Sequence, residues 1–131
     1  MTIRTVSVEG WPRPKGYANG VAATGETLWV AGQIGWTPEG VFERKDFLGQ
    51  FDQALANVLA VVEAAGGSAD KIVRLTVYVT DLDAYRSSLK EIGDVWRRRM
   101  GKVFPAMALV GVAGLVEREA LVEIEATAVL G

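Results

Sequence analysis

Apolar positions recur with two different spacings along the chain, and these spacings predict helices that alternate with strands. In Phe47–Ala65 and Ala84–Met100, apolar residues lie three or four positions apart, which is typical of a helix that buries one face. Shorter runs with alternating or continuous apolar residues predict strands. The predicted strands are Thr2–Val8, Tyr17–Ala22, Thr27–Gln33, Ile72–Thr80, Ala106–Val112 and Leu121–Val129.

Polar residues and glycines mark the ends of the predicted helices. Asp46 is a suitable N-cap for the first helix, and Gly66 supplies the left-handed conformation that often follows a helix. Asp81 or Asp83 is expected to cap the second helix. The chain length of 131 residues predicts a single domain over residues 1–131.

The predicted strand Ala106–Val112 is apolar on both faces. Met107 and Leu109 point to one side, while Ala108 and Val110 point to the other. A strand with one face in water should alternate apolar and polar residues. Two helices can cover only one face of a sheet, so we expect a partner subunit on the other face and a site where subunits meet.

Composition restricts the classes of function. Charged residues make up 23% of the chain and the formal net charge is -2, which argues against a nucleic-acid or membrane surface. The longest strongly apolar run, Ala106–Val112, is too short to span a bilayer, and Met1–Arg4 lacks the apolar run of a signal peptide. Cysteine is absent, so no disulfide can form, and we expect the protein in a reducing, cytoplasmic compartment.

The chain contains neither histidine nor cysteine, and this restricts its chemistry. A Ser-His-Asp triad, a cysteine nucleophile and the usual zinc site are excluded. Proton transfer would have to use Glu, Asp, Lys, Tyr or bound water. No run of carboxylates has the spacing of a metal site, so we expect no metal.

Four residues at three places in the chain are candidates for chemistry, and each place has a structural alternative. Glu123 and Glu125 share one face of a strand. That face is either exposed to solvent, or it lies at an interface where burial raises the pKa of a carboxylate. Tyr17 follows a proline-rich loop and either packs that loop or directs its hydroxyl into a pocket. Gly32 lies late in a strand, where glycine indicates a bulge or the close approach of a ligand.

The one basic cluster, Arg97-Arg98-Arg99 with Lys102, lies at the end of the second predicted helix. A solvated helix end is the simplest interpretation, since the helix dipole favours cations there. An anion-binding rim or a weak RNA contact are the alternatives. Three consecutive arginines point in three directions around a helix, which argues against a single clamp.

The ordered set of landmarks resembles the reactive intermediate deaminase family (Rid, also called YjgF or endoribonuclease L-PSP). No single landmark is specific, but together they run in order over nearly the whole chain. They are Gly16-Tyr17, Val30–Ile34, Asn57-Val58, Glu63–Gly66, Ile72-Val73, Thr76–Val79, Asp81-Leu82, Phe104–Ala106 and Val122–Ala126.

The resemblance implies a chorismate-mutase-like α+β subunit, with a mixed sheet packed on two helices. Three subunits would form a homotrimer with a central β-barrel, and a small-molecule ligand would bind in the clefts between them. Members that act as deaminases hydrolyse enamines or imines, such as 2-aminoacrylate, to 2-keto acids and ammonia, with no metal or cofactor.

The family's catalytic pattern is present only in part. Tyr17 matches the family tyrosine, Gly32 matches the glycine of the strand that lines the cleft, and Glu123 matches the glutamate thought to orient or activate water. These residues are therefore the catalytic and substrate-binding candidates that the resemblance implies.

Several substrate-binding positions depart from the family pattern. Met107 replaces the arginine that grips the substrate carboxylate, Ala31 replaces a serine or threonine, and Leu109 replaces a cysteine. Lys90 aligns near the asparagine of the second helix. Without the charge-assisted pair made by arginine, a small 2-imino acid should bind poorly. Lys90, Arg97 or Arg98 are candidates to replace the charge from another direction.

Two functions from different classes follow. One is a Rid-like hydrolase whose specificity is shifted by Met107. The other is a non-catalytic small-molecule-binding or interaction trimer, which the apolar residues at Ala31, Met107 and Leu109 favour. Ribonuclease activity is a third hypothesis and has the weakest support, because the basic cluster is small.

Overall fold

A four-stranded mixed sheet with helices on one face forms the body of the protein. The computed structural model describes residues 2–131, and its α+β architecture is the one that the sequence predicts. The elements in chain order are β1 (Thr2–Val6), β2 (Gly20–Thr24), β3 (Glu26–Ile34), α1 (Phe47–Ala64), β4 (Ile72–Val79), α2 (Leu82–Arg86), α3 (Leu89–Met100), β5 (Ala106–Gly111) and β6 (Val122–Leu130).

The strand order of the main sheet is β3-β6-β4-β5. β6 is antiparallel to both of its neighbours, whereas β4 and β5 are parallel. A parallel pair needs a crossover connection, and the segment containing α2 and α3 supplies it. β1 and β2 form a separate antiparallel hairpin. β5 is therefore an edge of the main sheet, with β4 as its only neighbour among the named strands.

The hydrophobic core lies between the sheet and helices α1 and α3. Alternate residues of the strands point toward the helices, because side chains alternate across a strand. The fully buried residues include Leu75, Val77, Val79, Val122 and Ile124 from the sheet. They pack against Phe51, Leu55, Val58 and Val62 of α1 and Ile92, Val95 and Trp96 of α3.

The ends of the first helix follow the prediction. The Asp46 side chain accepts a hydrogen bond from the Gly49 amide at 3.2 Å, which caps α1. Gly66 has a φ of 88°, a left-handed conformation that glycine adopts without strain. Asp81 caps α2 by accepting bonds from the amides of Asp83 and Ala84.

The prediction of one continuous helix over Ala84–Met100 is wrong. The chain forms α2, breaks at Ser87 and Ser88, and starts again as α3. Ser87 Oγ donates to the Ala84 carbonyl, a local bond that competes with continued helix. The strand predicted at Tyr17–Ala22 also begins later, at Gly20, because Ala18 bonds to the start of β5 instead.

The face of the sheet opposite the helices is uncovered in a single chain. We call it the open face; its residues are Trp29, Arg74, Thr76, Tyr78, Ala108, Val110, Glu123, Glu125 and Thr127. Trp29 is 77% exposed and Val110 is 42% exposed. The two-sided character predicted for β5 is thus present: Met107 and Leu109 face the helices, while Ala108 and Val110 lie on the open face.

The basic cluster contributes ion pairs between the helices. Arg99 Nε lies 2.8 Å and Arg98 3.1 Å from the carboxylate of Asp52 in α1, whose side chain is only 11% exposed. Burial alone would raise the pKa of Asp52, but hydrogen bonding and charge from Arg99 and Arg98 outweigh it and lower the pKa. Two of the three arginines therefore connect α3 to α1.

A charged Asp52 stabilises the fold at pH values above its unfolded-state pKa, and this contribution is lost as the pH falls through the lower folded-state pKa. Asp52→Asn is expected to lower the free energy of unfolding at pH 7 by about 1–3 kcal/mol, since hydrogen bonds to a charged group are lost. The difference from wild type should shrink below about pH 4 in urea unfolding experiments.

The matched control is Asp83→Asn, because the Asp83 side chain is 92% exposed and, within residues 2–131, forms an ion pair with Arg86 alone, at 3.5 Å. Its effect should stay within about 0.5 kcal/mol. An Asp52→Asn effect of equal size at pH 7 and pH 3 would show that the charge of Asp52 does not stabilise the fold.

Candidate functional site

A cavity of about 560 Å³ lies between α3 and the edge strand β5. Its interior is mainly apolar and aromatic, as is typical of sites for small molecules. Met107 and Leu109 reach it from β5, because their positions in the strand point toward the helices. The other apolar residues of the interior are Phe51, Val77, Ile92 and Trp96.

The mouth of the cavity is built by a contact between two loops. The Ala18 amide donates to the Pro105 carbonyl at 3.0 Å, which holds Tyr17 beside the start of β5. Phe104 stacks on Trp96 with ring centroids 6.4 Å apart, and Trp96 Nε1 donates to the Val103 carbonyl at 2.9 Å. Tyr17 is 42% exposed and lines the cavity. Its ring is therefore available to a ligand.

Three other predicted site residues lie on the opposite side of the sheet. The bulge between Val30 and Gln33 in β3 contains Ala31 and Gly32. A Cβ at Gly32 would lie 2.5 Å from Glu123 Oε2, closer than any real contact. Gly32 is therefore part of a bulge, one of the two predicted alternatives, and it also leaves room for the Glu123 side chain, which was not predicted. The close approach of a ligand at Gly32 stays a prediction.

The two carboxylates of β6 have different surroundings. The Tyr78 hydroxyl donates to Glu125 Oε1 at 2.7 Å, and this hydrogen bond raises the pKa of Tyr78 above its usual value. Glu125 is thus held within the open face. Glu123 is half-buried against Gly32, which lies in the bulge that shifts the register between β3 and β6, and its own strand partner is Ile34 beyond that bulge.

The predicted site residues form two separate groups in one chain. The cavity group comprises Tyr17, Met107 and Leu109, and the open-face group comprises Ala31, Gly32 and Glu123. β4 lies between β6 and β5, which separates Glu123 from the cavity group by about 10 Å across the strands. The two groups also lie on opposite faces of the sheet. One chain alone cannot present both groups to a small substrate.

Lys90 lies apart from both groups. Its side chain is 86% exposed, and its amino group is 3.7 Å from Asp94 in the next turn of α3. The preceding residue, Leu89, lines the mouth of the cavity instead. Lys90 therefore does not line the cavity of its own chain, and its substrate-binding role stays a prediction.

Two other basic residues, Lys15 and Lys102, line the cavity mouth. Lys102 belongs to the basic cluster for which an anion-binding rim was one alternative, whereas Lys15 was missed as a binding candidate. Lys15 directly precedes the Gly16-Tyr17 landmark, and Lys102 lies two residues before Phe104. Their nearness to these landmarks was the available signal. Arg97 also lines the cavity, but it forms an ion pair with Asp94.

Comparison with known proteins identifies the family. The model of the endoribonuclease L-PSP family matches residues 12–130. The chain belongs to the endoribonuclease L-PSP family. This is the Rid family that the sequence landmarks resemble, so the resemblance is confirmed.

Relatives and solved structures within the endoribonuclease L-PSP family match nearly the whole chain. A RutC family protein of Pyrococcus horikoshii is 32% identical, over 94% of each chain. A 2-iminobutanoate/2-iminopropanoate deaminase of Salmonella typhimurium is 35% identical, over 96% of this chain and 97% of its own. A Rid family protein of unknown function from Yersinia pestis has a TM-score of 0.87 and 33% identity, over 99% of this chain and all of its own.

Within residues 2–131, no three residues among Asp and Glu are grouped so that they could hold a metal ion. No helix in the described part of the chain is long and apolar enough to cross a membrane.

The contact between Gly32 and Glu123 yields a structural prediction. In Gly32→Ala, the added methyl group should force the Glu123 carboxylate to rotate away while the backbone of β6 stays in place. Gly114→Ala is the matched control, because a Cβ there meets nothing within 4 Å. Crystal structures of both variants provide the measurement, and an unmoved Glu123 in Gly32→Ala would contradict the expectation.

Proposed function

We propose that this protein is a Rid-like hydrolase that converts imines or enamines to carbonyl compounds and ammonia at clefts between the chains of a homotrimer. The division of the matched residues into a cavity group and an open-face group carries the proposal. Tyr17 and Glu123 both match the family's catalytic pattern, yet the sheet separates them within one chain. A second copy would complete each site.

The surface chemistry of the open face supports the trimer. Trp29 is 77% exposed there, and Ala108 and Val110 continue the apolar surface onto β5. Three sheets that close into a central barrel would cover this surface and bring Glu123 of one copy toward the cavity of its neighbour. A head-to-tail contact of this kind closes into a ring when the rotation fits.

The proposed chemistry needs only the groups that the chain carries. Glu123 holds a water molecule and accepts its proton as the oxygen attacks the imine carbon. That proton passes to the imine nitrogen, which gives an intermediate with a hydroxyl and an amino group on the same carbon. Glu123 then transfers the hydroxyl proton to the amino group, the C–N bond breaks, and ammonia departs as the C=O bond of the product forms. Tyr17 donates a hydrogen bond to the substrate, and an amide near Gly32 helps to fix it. No electrons are gained or lost, so no redox partner is needed.

The specificity is proposed to differ from that of arginine-bearing relatives. Several relatives bear the name 2-iminobutanoate/2-iminopropanoate deaminase, and both of these compounds are small imino acids. Here Met107 supplies a soft apolar contact in the cavity where those enzymes would grip a carboxylate. The preferred substrate is therefore not one of these small imino acids. The absence of cysteine fits a reducing, cytoplasmic setting for such an enzyme.

A non-catalytic binding trimer is the second candidate. The apolar residues Ala31, Met107 and Leu109 favour it, because each stands where the family has a polar group. Saturable ligand binding without turnover would identify it. Ribonuclease activity, which the family description names, is disfavoured because Arg98 and Arg99 are already paired with Asp52.

Glu123→Gln is expected to reduce kcat/KM for imine hydrolysis by about 10²–10⁴-fold, because glutamine has nearly the same size and shape as glutamate but cannot act as a general base. The measurement uses imines generated by amino-acid oxidases and follows their loss. Glu125→Gln is the matched control, because its carbonyl oxygen can still accept the Tyr78 hydrogen bond. If wild-type protein accelerates no imine in the panel, the hydrolase proposal is wrong.

Met107→Arg is expected to raise kcat/KM for 2-iminopropionate by about tenfold or more, because a guanidinium can pair with the substrate carboxylate. Met107→Leu conserves the apolar contact and should give no gain. Equal rates for the two variants would show that position 107 does not set the specificity.

A further inference from the structure

The apolar cavity continues into a second, more polar cavity of about 630 Å³. Five residues line both, namely Lys15, Gly16, Tyr17, Lys102 and Phe104. The apolar cavity extends from this boundary toward Met107 and Trp96, whereas the polar one extends toward Arg13 and the hairpin strand β1. The two spaces thus meet at Tyr17 and Phe104, with two lysines beside them.

The two lysines are available to a ligand. Within residues 2–131, no carboxylate lies within 4.0 Å of either amino group, whereas Arg97, Arg98 and Arg99 all have such partners. Both lysines are exposed, so their charge costs little to maintain. An anion at the cavity boundary would therefore meet positive charge that the protein does not already neutralise.

The interior has the size and chemistry for a large apolar group. A volume of about 560 Å³ is far more than a methyl or ethyl side chain fills. The indole of Trp96 and the thioether of Met107 line the interior, and sulfur and aromatic rings both make favourable contacts with an aromatic group. A small imino acid would leave this space open to water.

We propose that the cavity takes a 2-imino acid with an aromatic or large aliphatic side chain. The side chain lies against Trp96, Met107 and Leu109, and the carboxylate lies at the boundary with Lys15 and Lys102. This assignment rests on the proposed hydrolase function. In this assignment, Met107 contacts the side chain of the substrate. The substrate carboxylate, which the family arginine would bind, lies on the other side of the reacting carbon and is bound by the two lysines.

Isothermal titration calorimetry with phenylpyruvate, pyruvate and uncharged 4-phenyl-2-butanone tests the assignment without turnover. Phenylpyruvate, a 2-keto acid of the product class, should bind about ten- to a hundredfold more tightly than pyruvate, because burial of the phenyl group stabilises the complex. Its binding should show a negative heat-capacity change, as expected for apolar burial.

Lys15→Met combined with Lys102→Met should weaken phenylpyruvate binding by about three- to twentyfold, the sum expected for two exposed charge pairs. Binding of 4-phenyl-2-butanone should not change, because it has no carboxylate. Lys45→Met is the matched control, since Lys45 is exposed, pairs with Glu119 and lies outside both cavities. Both lysines of the double variant are exposed, so it should fold normally, which thermal unfolding can verify.

Equal affinities for pyruvate and phenylpyruvate would overturn the proposal, as would a double variant that binds phenylpyruvate like wild type. These outcomes are distinct from failure of the hydrolase. If phenylpyruvate binds as expected but no imine is hydrolysed, the ligand class stands and the reaction is wrong. If 2-iminopropionate is hydrolysed but phenylpyruvate binds no better than pyruvate, the reaction stands and the ligand class is wrong.

Discussion

The alternation of side chains across the strands determines how this protein can form a site. Because consecutive residues of a strand point to opposite faces, β5 delivers Met107 and Leu109 to the helix side, while β6 delivers Glu123 to the open face. β4 keeps the two strands apart. The separation cannot be removed by loop movement, since it is part of the hydrogen-bonded sheet. A site that needs both groups must therefore use two copies of the chain.

The edge position of β5 has a second consequence, at the mouth of the cavity. An edge strand leaves backbone groups without a strand partner, and here the Pro105 carbonyl at its start accepts a bond from Ala18. That bond brings Tyr17 to the cavity, and the stacked pair of Trp96 and Phe104 forms the adjoining wall. The same edge thus supplies the apolar interior, the phenol and the lysine-lined boundary where the proposed carboxylate lies.

The sequence predicted the elements well where periodicity and capping residues agree, as for α1 with Asp46 and Gly66. The break between α2 and α3 was not predicted, because the helical spacing of apolar residues continues from one side of Ser87 and Ser88 to the other. Apolar spacing gives no sign of the hydrogen bond from Ser87 Oγ to the Ala84 carbonyl. The open face was predicted from the two-sided apolar character of β5. The division of the site residues into a cavity group and an open-face group was not predicted. A motif gives the order of residues along the chain, but it does not tell on which face of the sheet each residue lies. The resemblance implies a site role for Lys90, but the neighbouring Leu89 lines the cavity instead, because a shift of one residue along a helix turns the side chain to another side.

The central claim is that each site is shared between two copies of the chain. It is tested most directly by co-expressing two variants that are each expected to be inactive alone, Tyr17→Ala and Glu123→Gln. The rate of imine hydrolysis by the mixed protein is then compared with that of wild type. If each site takes Tyr17 from one copy and Glu123 from the next, random mixing leaves about one site in four intact, and about a quarter of wild-type activity should return. If one chain holds the complete site, the mixed protein will be as inactive as its two components, and that result would contradict the claim.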